Sequence, residues 1–167
     1  MNVARQPRLF HLIQLAHRAL FRAADQTLQS AFGLSAVQQG ALFVIGKDEP
    51  CHPSAIARAL DMNKSAVTTL LSRLEDAGFV RRMADPDDGR AQLVQLSEKG
   101  RRTVSASVPH TKAANARLLE GFSPEEIIII ERFLTQVIER SSRASSTPDK
   151  STPLTPSTKE SHHDHNQ

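Results

Sequence analysis

Between Lys64 and Ala77 the chain sets two kinds of side chain on opposite sides of a 3.6-residue period. Val67, Leu70, Leu71, Leu74 and Ala77 make an apolar stripe, while Lys64, Ser65, Thr68, Thr69, Ser72 and Arg73 face away from it. The outward set is short and hydroxyl-bearing, with cations at Lys64 and Arg73. Such a face suits the edges of nucleic-acid bases: small donors and acceptors at close range, longer cations for guanine or phosphate. Any surface hairpin of helices could carry a similar stripe, so this face needs a second signal.

That signal follows directly. Asp85-Pro86-Asp87-Asp88-Gly89-Arg90 lies between two short runs rich in Val, Leu and Phe, 79–84 and 91–96, which read as strands. Asp-Gly is turn chemistry. Asp88 and Arg90 stand at i and i+2, which in an extended segment project to one side. Asp88 is therefore expected to hold the Arg90 guanidinium in a fixed direction, suited to a narrow, electronegative minor groove. Asp85, Asp87 and Asp88 would repel phosphate unless paired, and Arg81, Arg82 and Arg90 are their expected neutralisers. Arg81 and Arg82 have an alternative role as contacts to backbone phosphates.

Other chemistry-bearing residues are sparser. His11, His17, Arg18 and His52 are candidates for lining a ligand pocket, with Arg18 placed to pair an organic anion. Cys51 is the single cysteine, which excludes an internal disulfide. It falls in a loop, where an exposed thiol would be open to oxidation, and reads as an incidental thiol. His162, His163, Asp164 and His165 are metal-ligand types, but a polar chain end lacks the outer groups that position ligands, so no metal site is expected. Ser, His and Asp occur without the spacing of a nucleophilic triad, and no Gly-rich elbow is present. No enzymatic activity and no cofactor are expected.

The elements that must carry these residues follow from periodicity. Leu9, Leu12, Ile13, Ala16, Leu20, Ala24 and Leu28 recur at three and four over 7–31, predicting a long amphipathic helix. Ser35 with Gln38 forms a capping-box pattern that opens a second helix, ending near Gly46. Gly40 inside it fits close packing or room for a ligand. Ser54 to Leu60, the turn Asp61-Met62-Asn63, and Lys64 to Ala77 then read as a helix-turn-helix with Ile56, Ala57 and Leu60 inward. Gly78 ends it. Ser97 is a plausible cap for a helix over about 98–119, interrupted by Gly100 and Pro109. Ser123-Pro124-Glu125-Glu126 opens a last helix to about Ser142. Its run Ile127 to Ile130 would suit a strand, but the cap and the spacing of Phe133, Leu134, Val137 and Ile138 favour helix. A helix apolar on more than one face needs extra burial, which a second subunit could supply.

From about Ser141 the chain turns to Ser, Thr, Pro, Lys, Asp and His, a composition that predicts disorder over 141–167. Arg143, Lys150 and Lys159 there balance Asp149, Glu160 and Asp164, so the tail is not a polybasic arm. With 167 residues, 39% hydrophobic, the rest fits one domain over 1–140. The formal charge is +3 and the pI near 9.4, compatible with a nucleic-acid partner without requiring one. No apolar run reaches a membrane span and the N-terminal segment lacks a signal core, so a cytoplasmic location is expected.

The ordered set Asn63 to Glu75, Gly78-Phe79-Val80-Arg81-Arg82, the D-x-x-D-x-R pattern at Asp85, Asp88 and Arg90, and Leu96-Ser97-Glu98-Lys99-Gly100 resembles the MarR family of bacterial transcriptional regulators. The resemblance covers roughly 9–140. It implies a mainly α fold with a small β-hairpin wing: a winged helix-turn-helix lobe over about 36–96, and dimerisation helices over about 7–31 and 98–142. It implies a homodimer on a pseudo-palindromic DNA duplex, with Lys64, Ser65, Thr68, Thr69, Ser72 and Arg73 toward the major groove and Asp88 and Arg90 in the wing. Control by a small, often aromatic or phenolic, effector is the mode it implies, commonly as a repressor; an activator is the alternative. The family's peroxide sensors carry a cysteine in the first helix supported by tyrosines, and this chain has neither. The wing departs from the family at Asp87 and Gly89, where basic residues are common, which leaves Arg90 as its main cation. A winged helix used for protein interaction is the competing class. It would favour apolar or aromatic anchors on the outward face of 64–77, and there are none.

Overall fold

The computed structural model describes residues 8–145. These fall into two units, one ending at Leu118 and one beginning at Leu119. The first contains α1 (Leu9–Phe32), α2 (Ala36–Lys47), α3 (Pro53–Ala59), α4 (Lys64–Asp76), β1 (Val80–Ala84), β2 (Gln92–Leu96) and α5 (Glu98–Leu118). The second contains α6 (Pro124–Ser145). Among the described residues, no single helix is long and apolar enough to cross a membrane.

Local signals set most of the boundaries. Ser35 Oγ accepts the Gln38 backbone N–H at 3.2 Å, and Gln38 Oε1 accepts that of Ser35 at 2.8 Å, so the capping box opens α2 from both sides. Ser123 and Glu126 repeat the arrangement at α6, at 3.3 and 2.8 Å. The Ser123 hydroxyl also donates to Glu125 at 2.8 Å, which lowers the Glu125 pKa below its ordinary value. The isoleucine run is helical, and α6 continues to Ser145, past the expected start of the polar tail. The rest of that tail, with its histidines, lies outside the described residues.

The core of the first unit joins α2, α3, α4 and the hairpin. Leu34, Leu42, Ile45, Ile56, Val67, Leu71, Leu74, Val80 and Val94 are almost fully enclosed. β1 and β2 pair antiparallel from Val80↔Leu96 to Ala84↔Gln92, giving a two-stranded sheet. Gly78, at φ 75°, turns the chain out of α4 after the Ala77 cap so that it enters β1 at Val80. Ala77, expected in the buried stripe, is instead the exposed C-cap of α4. It stands past the last helical residue, where the 3.6 period no longer applies.

Gly100 has a packing reason rather than a turn reason. A Cβ there would collide with the Phe79 carbonyl, so the first turn of α5 lies directly on the α4–β1 junction. Ser97 and Lys99 bind the same junction, the Ser97 hydroxyl to Gly78 O at 2.6 Å and Lys99 Nζ to Ala77 O at 2.7 Å. Lys99 also stands 4.2 Å over the Phe79 ring. Further along α5, Gln39 Nε2 of α2 donates to Thr111 Oγ1 at 3.2 Å, which satisfies a buried amide.

Candidate nucleic-acid interface

α4 presents its outward face as the periodicity requires. Val67, Leu70, Leu71 and Leu74 are buried beneath it, and Lys64, Ser65, Thr68, Thr69 and Arg73 are exposed. Asn63 starts the helix: its Oδ1 accepts the Ala66 N–H and the Ser65 hydroxyl, both at 2.8 Å. Thr68 Oγ1 donates to Lys64 O at 2.9 Å and Thr69 Oγ1 to Ser65 O at 3.2 Å.

Ser72 is placed differently from its neighbours. It is half-buried, donates to Thr68 O at 3.1 Å and accepts Arg82 Nη2 at 2.9 Å. Arg82 Nε also lies 3.1 Å from Glu75 Oε2, although its N–H is out of line and remains without a hydrogen bond. That contact is charge to charge. Arg82 thus ties β1 to the middle of α4, and is committed to Glu75 rather than to the wing aspartates. Arg81, on the other face of the strand, is exposed.

The wing loop is built from two Asx turns. Asp85 Oδ1 accepts the Asp87 N–H at 2.9 Å, and Asp88 Oδ1 accepts the Arg90 N–H at 3.0 Å. Main-chain bonds from Ala91 to Asp88 O (2.8 Å) and from Asp85 to Ala91 O (3.1 Å) close the loop. Asp88 therefore fixes the backbone of Arg90, not its guanidinium, correcting the expected side-chain pair. The i, i+2 argument assumes an extended segment; in a turn the short Asp side chain reaches the nearer amide. Among the described residues no ion pair engages Arg90, which is exposed.

Asp85 is buried at the root of the wing, 3.5 Å from His52 Nε2. Its partner is thus a histidine from the α2–α3 loop and not one of the three arginines. His52 consequently belongs to the wing root. His11, His17 and Arg18 lie exposed along α1, with the His17 ring against Phe21 at 4.4 Å between centroids. The four do not converge on one cavity. A cavity of about 440 Å³ is lined instead by Ser35, Val37, Gln38, Met62, Ala66, Thr69, Leu70 and Arg73, between the start of α2 and the outward edge of α4.

Cys51 is buried at 7% exposure, its backbone bridged to Val94. Burial pushes the thiol pKa up, and the Asp48 and Glu49 carboxylates add to the shift. The thiol is thus not exposed to oxidation as its loop position allowed, because the loop bridges β2 at this residue, and the burial accords with an incidental thiol. Glu49 supports that edge: Oε2 accepts the Leu96 N–H at 2.8 Å, and Oε1 meets Arg101 of α5 at 2.9 Å. Sequence reading missed the Arg82–Glu75, His52–Asp85 and Glu49–Arg101 pairs. The residue types were visible, but no local spacing links them.

A helix-turn-helix followed by a two-stranded hairpin, with an exposed polar helix beside it, defines a winged helix-turn-helix protein. A model described as the MarR family matches residues 32–91. The regulator PecS of Dickeya dadantii is 33% identical over 119 residues, covering 70% of this chain and 71% of PecS. The solved structure of a probable transcriptional regulator from Pseudomonas aeruginosa is 30% identical with a TM-score of 0.68, over 79% of this chain and 97% of that one. The S. aureus MepR–DNA complex, 23% identical over 81% of this chain and 99% of MepR, matches in fold with a TM-score of 0.75. The chain belongs to the MarR family.

Proposed function

We propose that this chain is a homodimeric, sequence-specific DNA-binding repressor of the cytoplasm, released from its operator by a small organic ligand. The carrying observation is the exposed polar face of α4, held on a braced winged-helix body beside a wing whose Arg90 guanidinium is unengaged. α4 would enter the major groove and Arg90 the adjacent minor groove; the DNA complex of MepR, a protein of this fold, supports DNA as the partner.

The dimer reading rests on uncovered apolar surface. Along α1, Phe10 is 86% exposed and Leu12 54%; along α6, Ile128 is 63% exposed and Ile129 55%. A second copy is the occupant that gives both helices burial and gives DNA a two-fold partner. The operator is then a pseudo-palindrome with half-sites about one helical turn apart. For release, the cavity beside Arg73 fits an aromatic carboxylate: Val37, Met62 and Leu70 would pack the ring, and Arg73 would take the anion. A ligand there stabilises whichever state leaves the cavity open, and differential affinity is what shifts the equilibrium.

The test is a titration of DNA upstream of the chain's own gene against random duplex of equal length. Salt-sensitive preference for the upstream DNA, weakened about tenfold or more by Arg90→Ala, is the expected result. Equal affinity for both duplexes would sink the proposal.

A further inference from the structure

A hydroxyl has one proton to give and two lone pairs to accept with. On the outward face of α4 every hydroxyl proton is already spent within the helix or on its N-cap. Ser65 gives its proton to Asn63 Oδ1, Thr68 to Lys64 O, Thr69 to Ser65 O and Ser72 to Thr68 O. Ser72 then receives Arg82 Nη2 on one of its lone pairs and is half-buried, so it offers less to an external partner than its neighbours. What remains exposed at Ser65, Thr68 and Thr69 is acceptor capacity, together with the two threonine methyls. The face is therefore polar in one sense only: it accepts, and its donors are the flanking cations Lys64 and Arg73.

We infer that α4 reads its half-site as an acceptor surface, and that Thr68 and Thr69 select A·T base pairs. This rests on the DNA-binding reading above. An acceptor-only hydroxyl gains nothing from phosphate oxygens or from guanine O6 and N7, which are acceptors too. It gains from the exocyclic amino groups of adenine and cytosine. An A·T pair adds the thymine methyl, which the threonine methyls can pack against, and a C·G pair does not. Arg73, two turns from the helix start and exposed, has the opposite chemistry and fits guanine O6 and N7 at the neighbouring position. Ser72 and Arg82 are positioning residues that hold α4 against β1.

The test is selection of bound duplexes from a random pool with the full-length chain, followed by single-atom changes in the selected half-site. Half-sites with A·T pairs beside a guanine are expected. Replacing a contacted adenine by purine deoxyriboside, which lacks only the amino group, should weaken binding about fivefold. Replacing its thymine by uracil should cost about fourfold. Removing adenine N7 with the 7-deaza base should leave affinity unchanged. Thr68→Val and Thr69→Val keep a methyl and lose the acceptor. They should bind the adenine and purine sites equally, with an unchanged thermal midpoint showing that the fold is retained. Loss of binding with the 7-deaza base would overturn the acceptor reading, and selected half-sites with G·C pairs under Thr68 and Thr69 would overturn the A·T selection; either would leave the regulator reading standing. Failure to enrich any sequence would overturn both it and the regulator reading.

Discussion

At the scale of single residues, the wing and its neighbours show how short side chains are claimed by the nearest amide or carbonyl. Asp85 and Asp88 close turns, Ser72 supports an arginine, and only Arg81 and Arg90 are left on the hairpin as open cations. Cys51 illustrates the same point for a reactive group. Burial favours its protonated thiol, so the folded chain holds a proton that the unfolded chain loses near its ordinary value of 9.0. The resulting stabilisation is complete below that pH and declines as pH rises toward the folded value. The expected outcome is that the urea midpoint falls between about pH 8 and about pH 10 in the native chain and falls less in Cys51→Ala. Alkylation of Cys51 at neutral pH should likewise be slow until the chain is unfolded. Rapid labelling of the folded protein would contradict the burial argument.

At the scale of elements, what the sequence made legible was what neighbours in the chain decide. The Ser35–Gln38 and Ser123–Glu126 boxes, the Asp61 to Asn63 turn and the Gly78 stop were all readable, and each was found within a residue or so of its expected place. The outward face of α4 was readable for the same reason. Contacts such as Arg82–Glu75 and Glu49–Arg101 were not, since they depend on which distant segments are brought together. Nor was the cavity beside Arg73, whose lining comes from two helices and the turn between α3 and α4. Asn63 offers a test at this scale because it caps α4 and also stands at the edge of its outward face. Asn63→Ala should cost about 1 kcal/mol of stability. Asn63→Asp should keep the cap and favour the helix N-terminus by a few tenths, about 0.3 kcal/mol or more, in thermal melts. The same aspartate should weaken operator binding, because it sets a carboxylate beside DNA phosphates. An Asp variant that binds DNA as tightly as the native chain would place Asn63 away from the interface.

At the scale of the whole molecule, the stripe of α1 is the main departure from an ordinary single-chain core. It is regular, yet of its apolar residues only Leu28 is buried. Sedimentation of the full chain should give about twice 18.4 kDa. Leu12→Glu combined with Ile128→Glu should shift it to the monomer and abolish operator binding, with the helical content of the winged body retained. A native chain that sediments as a monomer at working concentration would remove the two-fold argument. The contact at Gly100 bears on how such a dimer moves. There is no room for a single methyl between α5 and the Phe79 carbonyl, and Lys99 clasps the end of α4, so that joint is tightly packed. The reading head and the first turn of α5 are therefore expected to move as one lever, with Pro109, where the helix lacks a backbone donor, as the place where α5 gives.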